Sequence, residues 1–202
     1  MIAIVDYGCG NLFSLSCSLN FLGIECKITG DKEEIAAADK IILPGVGAFA
    51  DAIKKLRDCD MVDLLRSLAA EGKPILGICL GMQLLFEKSF EYGAHMGLGL
   101  IKGYVGALEG NIPEELKIPH MGWNKLNFAK ADPIFKYIEP GDYMYFVHSF
   151  YAKGCVENTL AFAEYGAAVP AVVKSGSVYG MQFHPEKSGE KGLALLKAFA
   201  EL

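Results

Sequence analysis

Apolar positions in the first part of the chain fall into two alternating patterns. Ile2 to Asp6 opens with a short apolar run, Ile41-Ile42-Leu43 is another, stopped by Pro44-Gly45, and Pro74 to Cys79 is a third. Runs this short and this rich in branched residues predict buried strands. Between them, Leu12 to Leu22 carries apolar residues at helical spacing, and Phe49 to about Ala70 reads as a long amphipathic helix with a break near Cys59. Glu25 to Thr29 reads as a second short strand. Asp31 is placed to cap a helix through Ala38, with Glu33 and Glu34 in the first turn, where the helix dipole favours acids. A further helix is predicted over Met82 to Glu87.

This strand–helix rhythm predicts a mostly parallel central sheet flanked by helices. From Gly99 to Val172 the pattern changes to short strands separated by Gly, Pro and Asn turns. Tyr143 to Val147 and Thr159 to Ala163 are predicted members of an antiparallel β extension. A last helix, Gly192 to Leu202, is expected to cover one face. With no repeat, low-complexity tract or linker, residues 1–202 read as one α/β domain.

Composition narrows the function. The chain is 52% hydrophobic and 21% charged with a net charge of −5, which is globular and offers no clustered basic stripe for nucleic acid. No stretch approaches the roughly 20 apolar residues of a membrane span. The N-terminus reads as a strand and not as a signal peptide, so a cytoplasmic location is expected. The six cysteines, at 9, 17, 26, 59, 79 and 155, form no C-x-x-C pair. They are expected to be reduced, and no metal or organic cofactor is indicated.

One cysteine has a different setting. Gly77-Ile78-Cys79-Leu80-Gly81 lies at a strand-to-helix junction, with the spacing of a nucleophile elbow and cysteine in the place of serine. The glycines permit a sharp turn, and the start of a helix favours the reactive thiolate. A buried small hydrophobe between two packing glycines is the competing reading. Gln182-Phe183-His184-Pro185-Glu186 supplies the groups such a cysteine needs: an imidazole as base and a carboxylate to set its tautomer. His148, at the end of another apolar strand, is the rival base, although no acid lies near it in sequence. Pro44-Gly45-Val46-Gly47 can turn an N–H outward, so that Val46 and Leu80 amides hold a developing oxyanion. A phosphate-binding loop is the rival reading there, but the loop lacks the Lys-Ser/Thr of a P-loop.

Pro44–Gly47, Gly77–Gln83 and Gln182–Ser188, in this order, resemble the class I glutamine amidotransferases. Asp6–Leu12, Leu43–Phe49, Pro119-His120-Met121-Gly122-Trp123-Asn124 and Phe146–Ser149 extend the resemblance over essentially the whole chain, toward the glutaminase subunits of imidazole glycerol phosphate synthase. The resemblance implies Cys79 as nucleophile, His184 as general base and acid, and Glu186 as its orienter. It implies that glutamine is hydrolysed through a γ-glutamyl thioester and that the ammonia passes to a cyclase subunit, a β/α-barrel, in histidine biosynthesis. Gly47, Gln83 and Glu91 match positions that hold the glutamine, as do Ser149 and Phe150, where Phe150 replaces a commoner tyrosine. Asn11 and Ser14 match positions facing the synthase partner, as do His120, Met121, Trp123 and Lys187. A self-sufficient γ-glutamyl hydrolase or thiol peptidase, and a non-catalytic binding module on the same fold, are the alternatives.

Overall fold

The computed structural model describes residues 1–202. Strands β1 (Ile2–Val5), β2 (Cys26–Thr29), β3 (Lys40–Leu43) and β4 (Ile75–Ile78) alternate with helices α1 (Leu12–Phe21), α2 (Lys32–Ala37), α3 (Phe49–Asp58) and α4 (Met61–Ala70). There follow the short α5 (Leu80–Leu84), β5 (Phe86–Ser89), β6 (His95–Met96), β7 (Ile101–Ala107), β8 (His120–Lys125) and β9 (Asn127–Phe128). The last part holds β10 (Tyr143–His148), β11 (Phe150–Lys153), β12 (Thr159–Glu164), β13 (Ala168–Ser175), β14 (Val178–Met181) and α6 (Gly189–Glu201). No helix is long and apolar enough to cross a membrane.

Eight strands form the main sheet in the order β2-β1-β3-β4-β14-β13-β12-β9. Pairing is parallel from β2 to β14 and antiparallel from β14 to β9. The fold is therefore the predicted one, a mostly parallel sheet extended by antiparallel strands. Strand alternation divides the apolar residues between two layers. Ala3, Val5, Ile41, Leu43 and Ile75 pack with Ile35, Phe49, Leu56 and Leu65 from α2, α3 and α4. Ile2, Ile4, Ile42, Leu76 and Ile78 face the other way, onto Leu15 and Leu19 of α1 and Leu195 and Phe199 of α6. Two smaller sheets stand beside the main one: the ribbon β10-β8 and the four strands β11-β7-β5-β6.

Local chemistry sets the element ends. Asp31 Oδ1 accepts from the amides of Glu33 and Glu34 at 2.9 and 3.0 Å, the predicted cap of α2. The long helix expected from Phe49 breaks as anticipated, at Cys59-Asp60, where Asp60 takes a left-handed conformation (φ 51°) and redirects the chain into α4. The helix expected over Met82 to Glu87 is different in the structure. It starts at Leu80 and stops at Leu84, and Phe86–Ser89 is a strand. The returning chain captures that backbone: Leu100 and Ile101 amides donate to the Leu85 carbonyl at 2.8 and 3.0 Å, and Gly99 to Phe86 at 3.1 Å. The last helix begins at Gly189, one turn before Gly192. Gly192 is a packing residue, since a Cβ there would lie 2.0 Å from the Pro185 carbonyl oxygen.

Phe199 anchors α6 in the layer behind β1 and β14 and is fully buried. Phe199→Ala is expected to cost about 3–5 kcal/mol of stability through lost burial and a residual cavity. Urea unfolding followed by circular dichroism measures this as a lower midpoint with the same slope.

Candidate active site

Pro44–Gly47 leaves β3, Cys79 leaves β4 and Gln182–Glu186 leaves β14, all at the carboxyl ends of neighbouring parallel strands. Ligands bind open α/β sheets at that end. Cys79 sits at φ 55° and ψ −112°, a conformation that costs a non-glycine residue about 1–3 kcal/mol. Its amide donates to the Met181 carbonyl at 2.7 Å, which ties the turn to β14. The two flanking glycines are required by close approach. A Cβ at Gly77 would lie 2.6 Å from the Gly81 oxygen, and one at Gly81 only 1.9 Å from the Leu43 oxygen. Because α5 spans 5 residues, it supplies a free first-turn N–H at Leu80 more than a long macrodipole.

His184 and Glu186 meet as the spacing predicts. His184 Nδ1 lies 2.8 Å from Glu186 Oε1, and both side chains are buried. With Nδ1 engaged, Nε2 is the nitrogen left for the sulfur. Burial pulls the His184 pKa down, but hydrogen bonds to Cys79 and Glu186 outweigh it and lift the imidazole to about 9. The other Glu186 oxygen has no partner within the chain. His148 ends its strand with both ring nitrogens occupied, Nε2 by His120 at 3.0 Å and Nδ1 by the Phe150 carbonyl at 2.9 Å. Burial pushes it down to about 3, so the rival base has neither a free nitrogen nor an acid to charge it.

Cys79, His184 and His148 line one cavity of about 330 Å³, with Glu186 outside its lining. Of the residues singled out in the sequence, it brings together Cys79, Leu80, His184, Val46, Gly47, Gln83, Glu91, Ser149, Phe150 and Lys187. Glu91 is buried at the cavity, and its Oε2 accepts from the Phe49 amide at 2.6 Å at the start of α3. Burial raises its pKa, against the lowering effect of that hydrogen bond. Asn11, Ser14, Met121 and Trp123 lie outside the cavity lining. Met121 and Trp123 are exposed, but His120 is 2% exposed and its ring turns inward. The expectation that His120 faces a partner is corrected accordingly: alternation along β8, set by its pairing with β10, sends 121 and 123 outward and 120 inward.

Three contributors went unassigned in the sequence reading. Gln182 Nε2 reaches the Cys79 sulfur at 3.9 Å, while Gln182 Oε1 accepts from Gln83 at 3.0 Å. Its position two residues before the histidine was the available signal. Val147 and Tyr92 complete the lining, and Tyr92 meets the Phe150 ring edge-on at 5.8 Å. No group of three or more His, Cys, Asp or Glu side chains is arranged to hold a metal ion.

Comparison with known proteins agrees with this geometry. The family model "Glutamine amidotransferase class-I" matches residues 3–201. The chain belongs to the class-I glutamine amidotransferases. An imidazole glycerol phosphate synthase subunit HisH of Oceanobacillus iheyensis is 49% identical over 203 residues, covering 100% of this chain and 99% of its own. The HisH subunit of Caldanaerobacter subterraneus subsp. tengcongensis is 51% identical over 203 residues, with 100% and 98% covered. This class-I amidotransferase thus sits among the HisH subunits. Among solved structures, PurLQS from Thermotoga maritima superposes with a TM-score of 0.74 at 22% identity, covering 99% of this chain and 97% of that one. A glutamine amidotransferase crystal structure gives 0.76 at 22% with full coverage of both chains. At that identity the likeness concerns the fold.

Two expectations follow from the amidotransferase geometry. Gly81→Ala cannot be accommodated without moving the elbow, and overpacking of this kind costs about 1–3 kcal/mol or more. It should lower the thermal midpoint and abolish labelling of Cys79 by a glutamine-analogue electrophile. Second, the raised His184 pKa stabilises the fold fully below its unfolded value near 6.5, and that contribution is lost as pH rises toward about 9. Glu186→Gln removes one cause of the raise, so His184 should titrate lower and the alkaline loss of stability should begin earlier, as read by NMR titration and by unfolding at several pH values.

Proposed function

We propose that this chain is the glutaminase subunit of an imidazole glycerol phosphate synthase, working in the cytoplasm as one glutamine amidotransferase domain. The observation that carries the reading is His184 held between the Cys79 sulfur, with which it lines the cavity, and the Glu186 carboxylate behind it. Cysteine, base and orienter in that order supply a nucleophile and a proton carrier for acyl transfer.

The sulfur of Cys79 attacks the side-chain carboxamide carbon of glutamine. The Leu80 and Val46 amides hold the oxyanion, each such donor being worth about 2.7–4 kcal/mol. The Cys79 thiol proton passes to His184 Nε2, where the sulfur and Glu186 favour it, and from there to the departing amine, so that ammonia leaves a γ-glutamyl thioester. A water then loses a proton to His184 and attacks the thioester, which releases glutamate and restores the pair. Glu91 accepts the glutamine ammonium, while Gln83, Gly47, Ser149 and Phe150 hold the remaining amino-acid end.

The partner follows from chemistry and surface. Ammonia released into bulk water is protonated and useless as a nucleophile, so a sheltered path to a second active site is advantageous. Met121 and Trp123 present an exposed apolar face on β8, with the Trp123 ring edge-on to Tyr145 at 6.1 Å. Aromatic residues and methionine are favoured in protein interfaces. Together with Asn11, Ser14 and Lys187 they form the surface on which a cyclase barrel docks as a heterodimer.

Ammonia release from glutamine, measured with and without a cyclase subunit and its nucleotide ligand, tests this. Release should rise steeply with the partner, and Cys79→Ala should reduce it by roughly 10³-fold or more. Full-speed hydrolysis by the isolated chain would make it a self-sufficient hydrolase of γ-glutamyl substrates, and activity surviving Cys79→Ala would remove the catalytic assignment itself.

A further inference from the structure

A line of hydrogen bonds runs from β8 through the Phe150 carbonyl to the nucleophile, and from Asn124 to that carbonyl its direction is set from both ends. Asn124 Nδ2 donates to the Glu164 carbonyl at 2.9 Å, and Asn124 Oδ1 accepts from the Lys125 amide at 2.8 Å. Neither backbone group can reverse its part, so the amide cannot be turned over. The same Nδ2 faces His120 Nε2 at 3.3 Å, which must therefore accept. A neutral His120 then carries its proton on Nδ1 and donates across 3.0 Å to His148 Nε2. The far end gives the same answer independently, because the Phe150 carbonyl, 2.9 Å from His148 Nδ1, can only accept. That carbonyl also accepts from Gln83 Nε2 at 2.9 Å; Gln83 donates to Gln182 Oε1 at 3.0 Å, and Gln182 Nε2 points at the Cys79 sulfur at 3.9 Å.

The two imidazoles are locked in place. His120 is sandwiched between the rings of Phe146 and Tyr165, at centroid distances of 4.8 and 3.9 Å, and both histidines are buried. The ionisable groups facing the pair are each other, the Tyr165 phenol and His184, and no acid is among them. Burial brings His120 to about 4 and His148 to about 3, so neither carries charge at neutral pH. Protonating either would set a donor against a donor.

We propose that Asn124 and His120 are positioning residues for the glutaminase reaction: they hold His148, as its Nδ1–H tautomer, against the Phe150 carbonyl, and so seat the carbonyl on which Gln83 and, through it, the Gln182 N–H facing the Cys79 sulfur depend. The inference rests on the reading of Cys79 as nucleophile given above. It assigns a use to a strand whose outer face carries Met121 and Trp123, and to a buried histidine pair that the acyl-transfer steps do not consume. Histidine tautomers are commonly set by the partner of the second nitrogen, and here that partner is an amide held by backbone.

Two measurements test it. Nitrogen-15 NMR of the full chain labelled at histidine should find His120 and His148 both neutral and both protonated at Nδ1 near about pH 7. An Nε2–H tautomer or a charge on either overturns the proposal, and this readout does not depend on activity. The second is Asn124→Asp, assayed with the cyclase partner. The carboxylate oxygen that replaces Nδ2 faces the Glu164 carbonyl at every pH, a pH-independent loss, and toward His120 it demands a proton on Nε2, which raises the His120 pKa; the doubly protonated ring then satisfies both Asp and His148 at low pH. As pH rises and that proton is lost, one link must set acceptor against acceptor. The variant's kcat should then fall about tenfold between about pH 6 and about pH 8, the worth of one misdirected buried hydrogen bond, on a limb absent from the parent. A variant whose pH profile parallels the parent's, whatever its absolute rate, shows a merely structural residue and sinks the idea. Activity that survives Cys79→Ala would instead remove the reading beneath it, leaving the tautomer measurement intact.

Discussion

Gly81 rests against the carbonyl of Leu43 so closely that a methyl group there would sit 1.9 Å from the oxygen. That contact holds the start of α5 over the end of β3 and leaves Cys79 the strained conformation that lifts its sulfur. The strain is opposed by the surrounding sheet, above all by the Cys79 amide bonded to Met181 in β14. Since β3 and β14 flank β4 in the sheet, the same arrangement places the Val46 loop on one side of the sulfur and His184 on the other. The fold's strand order and the site's composition are therefore one constraint seen at two scales.

Within the cavity two imidazoles live under opposite electrostatic rules. His184 has a carboxylate on Nδ1 and the Cys79 sulfur as its other partner, and is lifted to about 9. His148 has a carbonyl and a second neutral ring, and drops to about 3. His148 lies close enough to feel His184, whose charge is among the causes that lower it. The difference lies in the partners and not in burial, because both are buried. One ring can carry a proton to a leaving group, and the other can only transmit orientation.

Much of this was legible before any coordinates. The strand runs, the elbow glycines and the histidine–proline–glutamate spacing are local features, and local features survive in a linear text. Gly77-Ile78-Cys79-Leu80-Gly81 names its own turn because only glycine fits where Gly77 and Gly81 approach the neighbouring backbone. What was not legible depends on pairing across distance. Phe86 and Glu87 read as helix until β7 takes their backbone into a strand. His120 reads as outward until β10 fixes the phase of β8. The amide link from Gln83 to Gln182 joins residues 99 apart and is invisible to any local pattern.

The order of the chain has a consequence for synthesis. β14 lies between β4 and β13 in space but is the last strand to be made. A nascent chain that has folded only its first four strands has a cysteine without its imidazole and a central sheet with an unfilled edge. The thiol therefore acquires its base only when Val178–Glu186 emerges from the ribosome and slots into the gap. Translation itself thus keeps the nucleophile unarmed until the strand that leads to its base is in place.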